Sequence, residues 1–276
     1  MGGAITRIDL FLSRTRAVAA PLYQEFPPPP DLREFVACTW VRLVHGLEEQ
    51  ISADILPDGC ADIMAYDDYP PRVAGPDAVT RRIKLSAGIA ITGIRLRPGA
   101  CRAVLGCPAS AIVNGSVLLS DLASDAVQLH QRLMLAHTLK ARLSVLEDWV
   151  RAALDRVTDK DRAVIQACRM LGADPRIAID EVARRLDWNA RTIHRQFLAA
   201  CGYSPKHFQR IMRIQSVLQA ANGAPSRRLS ELAAAAGYAD QAHMTRDFRD
   251  ITGFTPAAYF ANTADRGWGE WISEGW

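Results

Sequence analysis

"LDWNARTIHRQFLAACGYSP" runs from Leu186 to Pro205, and "AGYADQAHMTRDFRDITGFTP" from Ala236 to Pro256. Laid over each other by their phenylalanines, the two stretches and their flanks are one pattern written twice. Glu181, Ala183, Arg195, Phe197, Gly202 and Pro205 match Glu231, Ala233, Arg246, Phe248, Gly253 and Pro256. Trp188 pairs with Tyr238, Tyr203 pairs with Phe254, and the second copy has one extra residue in its turn. A solenoid generally needs three or more repeats. Two copies read as a duplicated small unit.

Each copy parses as helix–turn–helix. In the first, Ile179, Val182, Ala183 and Leu186 form one apolar face of a short helix, "DWN" turns the chain, and a second helix starts at Asn189 or Ala190. That helix presents Ala190, Ile193, Phe197 and Ala200 at helical spacing. In the second copy Leu229, Leu232, Ala233 and Ala236 build the first helix, Gly237 makes the turn, and Met244, Phe248 and Ile251 face inward. The small alanines let two helices cross closely at a steep angle. Between the copies, about Pro205–Ala221 reads as a long connecting helix.

The outward faces carry Arg191, Thr192, His194 and Arg195 in the first copy, and Gln241, His243, Thr245, Arg246 and Arg249 in the second. Arg can donate twice to guanine, Gln can pair with adenine, and Thr can meet a base edge or a thymine methyl. A solvated helix face would look the same in a single copy. Arg at the equivalent position of two matched copies argues for recognition helices in the major groove. Arg184, Arg185, Arg210, Arg213 and Arg249 are candidates for phosphate contacts, each also readable as part of a solvated face. Charge agrees. The whole chain of 276 residues is only +3, but residues 176–260 hold 12 basic against 7 acidic residues, while residues 1–159 hold 17 against 18.

These residues resemble the DNA-binding domain of the AraC/XylS family of bacterial transcription regulators, through the pattern A-x-x-L…R-x-F…G-x-S/T-P in both copies. The resemblance covers about 80 to 100 residues. It implies two helix-turn-helix units joined by a long helix. By family position, Arg191, His194 and Arg195 would touch bases from the first unit, and Gln241, His243 and Arg246 from the second. One position departs: Asp187 stands in the turn where glycine is common, as Gly237 is in the second copy. Asp tolerates the left-handed backbone better than most residues.

The other half differs in kind. After the stiff "PPPP" of Pro27–Pro30, "REFVACTWVRLV", "QISADIL", "CADIMAY", "RRIKLSA" and "AITGIRLR" are short β-favouring runs separated by "PDG", "DDYPPR" and "GPDA". Residues 32–97 therefore read as a small antiparallel β domain, and from Asp121 the period becomes helical. Leu139, Leu143, Leu146, Val150 and Ala153/Leu154 make one stripe, either a dimerisation helix or the domain's own packing helix. "TDKD" at 158–161 reads as a break between domains. The fold class is α+β: an N-terminal sensing domain over 1–157, an all-α DNA-binding domain over 162–262, and a tail over 263–276. "ILPDGCADIM" and "GIRLRPGACRAVLGCPASAIVNGSVLLSDL" resemble an N-terminal domain found in a subset of AraC-like proteins.

Candidate effector contacts there are Trp40, Tyr66, Arg95 and Arg97, with Tyr69 as a further pocket or core aromatic. Arg95 and Arg97 alternate on a strand, which predicts that they share a face. Asp58, Cys60, Asp62 and an upstream His45 do not have metal-ligand spacing, and a tight "PDG" turn is the default reading. No GxSxG, HExxH, GxxxxGK[ST] or GxGxxG occurs, so neither an enzyme nor a cofactor is expected. No run spans a bilayer, the N-terminus fails as a signal peptide, and six scattered cysteines suit the cytoplasm. The expected partners are promoter duplex DNA and a small-molecule effector, with RNA polymerase and a second copy of the chain as further candidates. The alternative is a thiol-based redox or alkylation sensor on the same DNA-reading module. Alkylation-repair regulators of this type need clustered cysteines, whereas Cys101 and Cys107 are the nearest pair here.

Overall fold

The computed structural model describes residues 22–44, 50–66, 69–86, 88–223 and 227–266. Among the described residues the N-terminal half has eight strands: β1 (Leu22–Phe26), β2 (Val36–Leu43), β3 (Gln50–Ile55), β4 (Ala61–Tyr66), β5 (Arg72–Ala74), β6 (Arg81–Ser86), β7 (Ala90–Leu96) and β8 (Ser116–Leu118). Six form an antiparallel sheet in the order β1-β2-β7-β4-β5-β8, and β3 pairs with β6 as a separate ribbon. The five β-favouring runs fall on β2, β3, β4, β6 and β7. The sheet also reaches outside the predicted 32–97 limits, taking in β1 and β8. Those strands, with the three-residue β5, are too short or too displaced to announce themselves by alternation.

Alternation decides the two faces. Along β4, Ala61, Ile63 and Ala65 are buried on one side, while Asp62, Met64 and Tyr66 point to the other. The first side packs under helices α1 (Cys101–Leu105), α2 (Ala126–Met134) and α3 (Leu139–Ala153). Leu143, Leu146, Val150 and Ala153 of the predicted stripe are buried in α3, with Leu146, Val150 and Ala153 packed in the same core as Ile63, Ile94 and Leu96. That stripe is the domain's own packing helix. The second side holds Tyr23, Trp40, Met64, Tyr66 and Ile91, with Leu85 of the ribbon against it.

The C-terminal half comprises α4 (Asp159–Ala173), α5 (Ile179–Arg185), α6 (Ala190–Cys201), α7 (Pro205–Gly223), α8 (Leu229–Ala235), α9 (Gln241–Thr252) and α10 (Pro256–Arg266). Residues of the tail beyond 266, and His45, lie outside the described residues. One core gathers Val182, Ile193, Phe197, Phe208, Ile211, Leu232, Met244 and Phe248. Ala190, expected inside, is exposed at the first turn of α6, because helix α6 begins there and its stripe starts at Ile193.

"TDKD" both breaks the chain and starts α4. Thr158 and Asp161 form a reciprocal capping box, each satisfying the other's backbone N–H. Asp161 also accepts from Arg102 of α1 at 2.7 and 2.9 Å, and Arg102 reaches Gln196 of α6 at 3.0 Å. The halves are thus packed together, with Ile165 of α4 in the N-terminal core and Val164, Cys168 and Leu171 in the C-terminal one.

Burial raises the Asp161 carboxyl pKa, but the hydrogen bonds from Thr158 and Arg102 outweigh it and leave the group below its usual range. A depressed carboxylate pKa stabilises the fold above its unfolded value, about pH 4, and that contribution is lost as pH falls through the depressed value. Thermal stability should therefore drop on acidification below about pH 4, with a shallower drop in Asp161→Asn; equal slopes would dismiss this seam as a source.

A second test lies at the C-caps of α6 and α9. Gly202 and Gly253 have φ of 81° and 80°, so alanine costs about 1–2 kcal/mol at either from the backbone. A Cβ on Gly202 would also lie 1.9 Å from Val113 of the N-terminal half, while a Cβ on Gly253 meets nothing within 4 Å. Urea unfolding should show Gly202→Ala destabilised by about 1–3 kcal/mol more than Gly253→Ala. Equal losses would mean that the halves do not press together at this point.

Candidate nucleic-acid interface and effector cavity

The two copies close in the same way, down to single hydrogen bonds. In the first turn the N–H of Trp188 donates to Ala183 O at 2.8 Å; in the second, Tyr238 donates to Ala233 O at 2.9 Å. Asp187 takes φ of 53° where Gly237 takes 81°, so the aspartate does adopt the left-handed conformation that the turn requires. Asn189 then caps α6 by accepting from Thr192 N at 2.8 Å, and Asp240 caps α9 by accepting from His243 N at 2.6 Å. Ala239 is the extra residue between turn and cap in the second copy. Each second helix therefore starts at a fixed angle to the first, with its apolar stripe inward.

Arg191, His194 and Arg195 stand exposed on α6, and Gln241 and Arg246 on α9. Arg195 and Arg246 occupy equivalent places, one turn and a half inside each helix. His243 is half-buried. Its ring meets Tyr238 edge-on at 5.3 Å, and its Nε2 lies 3.8 Å from Asp247 Oδ2. Thr245 donates its hydroxyl to Gln241 O at 2.8 Å, which orients it along the helix.

The arginines assigned to phosphate divide. Arg184 and Arg185 are exposed, pair with Glu181 on their own helix, and hold that carboxyl below its usual range. Arg249 is exposed on α9. Arg210 is different. Its Nε donates to Asp247 and its Nη2 to Asp250, each at 2.9 Å, so it braces α7 against α9. Arg213 donates to Pro175 O at 3.3 Å and lies 5.7 Å over the Tyr238 ring. Arg210 thus holds α9 from α7, and Arg213 ties the segment before α5 to the turn before α9, so both guanidinium groups are engaged within the protein. Sequence reasoning missed this because their carboxylate and ring partners lie 25 to 40 residues away in the chain. Gln196 was missed for the same reason: it sits on α6 but turns to Arg102.

On the N-terminal half, Trp40, Tyr66 and Arg95 come together. They line a cavity of about 230 Å³ between the sheet and the β3–β6 ribbon, with Tyr23, Asp58, Asp62 and Met64. Arg97 does not join them. It follows the end of β7, donates to Arg33 O at 2.9 Å, and lines a different cavity with Pro98, Cys168 and Arg169. Tyr69 is exposed and outside both. The D-x-C-x-D stretch is a turn, as expected: Asp58 accepts from Cys60 N at 2.8 Å and Gly59 takes φ of 83°. Among the described residues no group of three or more His, Cys, Asp or Glu is arranged to hold a metal ion, and no helix is long and apolar enough to cross a membrane.

The nearest thiols are Cys168 and Cys201, 3.4 Å apart, a contact between α4 and α6 that spacing cannot show. Burial pushes the thiols of Cys38, Cys60, Cys101, Cys107 and Cys168 upward. That is the opposite of the lowered pKa that marks a reactive cysteine.

A family model described as a helix-turn-helix domain matches residues 182–262. Residues 182–262 are an AraC-type helix-turn-helix domain. A second model, a domain of unknown function (DUF6597), matches residues 24–118, which spans the sheet and the cavity. No curated protein matches the chain. Solved structures similar to it include the DNA-binding domain of the global transcriptional factor AdpA in complex with a target DNA. That domain is 24% identical over 40% of this chain and 97% of its own, with a TM-score of 0.34. ToxT from Vibrio cholerae O395 is 11% identical over 88% of this chain and 94% of its own, with a TM-score of 0.40. An unsaturated fatty acid bound ToxT from Vibrio cholerae strain SCE256 is 9% identical over 76% and 94%, with a TM-score of 0.37.

The AraC-type domain separates two kinds of arginine, and substitution should do the same. Arg246→Ala should lose discrimination at one base pair, by about 1–3 kcal/mol. Arg210→Ala should lower the melting temperature and weaken all duplexes alike, since it frees α9 without touching a base. Binding of a mismatch series by both variants checks this. A uniform loss from Arg246→Ala would make it a phosphate contact.

Proposed function

We propose that the chain is a sequence-specific transcription regulator that reads promoter DNA with α6 and α9 and is modulated by a small molecule in the N-terminal cavity. The observation that carries the first part is the pair of capped, exposed helix faces with Arg195 and Arg246 in equivalent positions on one chain. The 19 residues of α7 span roughly 28 Å at 1.5 Å per residue. Successive major-groove segments lie about 34–36 Å apart. A monomer could thus engage both, as a dimer of single-unit repressors does, with the DNA bending to meet a fixed spacing.

The second part is supported by how the cavity's roof is anchored. At the foot of β3, Pro57 O accepts from Gln215 of α7 at 2.6 Å. Just before β6, Thr80 N donates to Ile251 O of α9 at 2.9 Å, and Ala78 O lies 2.8 Å from His207 Nε2 of α7. Ile55 pairs with Arg81, so these contacts fix both strands of the ribbon at one end, on the helices of the second helix-turn-helix unit. A ligand that moves the ribbon would bear directly on α7 and α9. The reading is of a regulator with no catalytic step of its own, working in the cytoplasm where the chromosome lies. Its output would run through RNA polymerase, and two copies on adjacent sites would lengthen the sequence read.

Selection of bound sites from random duplexes by the full chain, at a stated salt concentration, tests the reading. Two enriched blocks about ten base pairs apart are expected. One block alone would limit reading to a single helix, and a pool that stays random at low salt would overturn the proposal.

A further inference from the structure

What already surrounds Arg95 restricts what the cavity can hold. Its Nε donates to Asp62 Oδ1 at 3.1 Å and its Nη1 to Glu25 Oε1 at 3.1 Å, with Asp58 Oδ2 at 3.9 Å. One guanidinium thus sits among three carboxylates, two of which, Asp58 and Asp62, line the cavity. Burial opposes the charge of Arg95, yet Asp62, Tyr23 and Asp58 hold it above its ordinary range. An anion entering here would meet carboxylate oxygens whose cation is already engaged. A cation would meet acceptors.

Beside this cluster lies a flat aromatic surface. A Cβ on Gly93 would fall 2.2 Å from Cε2 of Trp40, so the indole lies directly over the glycine. Its Nε1 donates to Asp62 Oδ1 at 2.8 Å, which fixes its orientation. Ile55, Ile83 and Leu85 of the ribbon form the apolar roof. Two further cations line the cavity: Arg81 is held bidentately by Asp77, and Arg42 lies 4.8 Å over the Tyr23 ring. Lys84 of the ribbon is exposed to solvent and also lines the cavity. A volume of about 230 Å³ suits one ring with a short chain, since a void of about 150 Å³ accepts benzene.

We propose that this cavity binds an organic cation, with an ammonium or amidinium head against Asp58 and Asp62 and a flat apolar body on Trp40. The carboxylates supply charge-assisted acceptors and the indole supplies a face on which an aromatic body stacks. The proposal names the ligand class for the effector reading above, and rests on that reading only for its consequence on DNA.

The test is titration of the full chain with four matched probes, 2-phenylethylamine, benzamidine, 2-phenylethanol and 3-phenylpropionate, followed by calorimetry and tryptophan fluorescence. The two cations should bind, with the alcohol and the carboxylate weaker by about tenfold or more. Asp58→Asn should weaken the cations by about tenfold and leave the alcohol unchanged. Ile83→Trp fills the cavity from the roof without touching the charged cluster, and should remove binding of all four even if the Asp58 variant does not fold. Tighter binding of 3-phenylpropionate than of the amine would overturn the proposal, as would no saturable binding of any probe at about 10 mM. DNA affinity of the full chain is then measured with and without 2-phenylethylamine. Cation binding with unchanged DNA affinity would uphold the cavity chemistry and sink the effector reading.

Discussion

Asp161 is the residue on which the two halves both depend. Its carboxylate and Thr158 cap α4, the first helix of the DNA-reading half, and the same carboxylate holds Arg102 of the N-terminal half. Arg102 in turn holds Gln196 on the buried side of the first recognition helix. A helix cap alone would be a local matter. Because the cap is also an ion pair across the seam, starting α4 and positioning it against the N-terminal half are one event. Both partners are largely shielded from water, 25% and 10% exposed for Arg102 and Asp161, so losing either would strand a polar group. That makes the pair a fixed reference point rather than a surface salt bridge of little weight.

A second seam uses backbone groups of the N-terminal half. Thr80 N–H donates to Ile251 O of α9 and Pro57 O accepts from the Gln215 side chain of α7, and Phe208 of α7 packs so close to Gly59 that a Cβ there would lie 2.7 Å away. The turn that holds Asp58 at the cavity is therefore the turn that α7 leans on. Cavity, ribbon and connecting helix are thus in continuous contact, while Arg191, Arg195 and Arg246 remain exposed.

The DNA-reading half was legible because its constraints are local. Apolar spacing, the caps Asn189 and Asp240, the turn residues Asp187 and Gly237, and the C-cap glycines all act within a few residues of themselves. Duplication then separated signal from coincidence, since a solvated face does not repeat its arginine at the same place twice. The strands β2, β3, β4, β6 and β7 were legible for a similar reason. What spacing could not show was the partner that a distant segment supplies. Arg210 and Arg213 looked like free surface arginines until Asp247, Asp250, Pro175 and Tyr238 were brought to them. Arg95 and Arg97 looked paired until the end of β7 sent the second to another cavity.

By itself the sequence determined the double helix-turn-helix, the β character of the N-terminal half and the exposure of Arg191, Arg195 and Arg246, because periodicity, capping and turn chemistry are short-range properties. Only the tertiary structure decided which cations are spent internally and which carboxylates meet at Arg95. It alone decided that the roof of the cavity stands on α7 and α9. Those depend on pairing across 30 to 160 residues of chain, and a side chain's charge says nothing about its role until its neighbours are known.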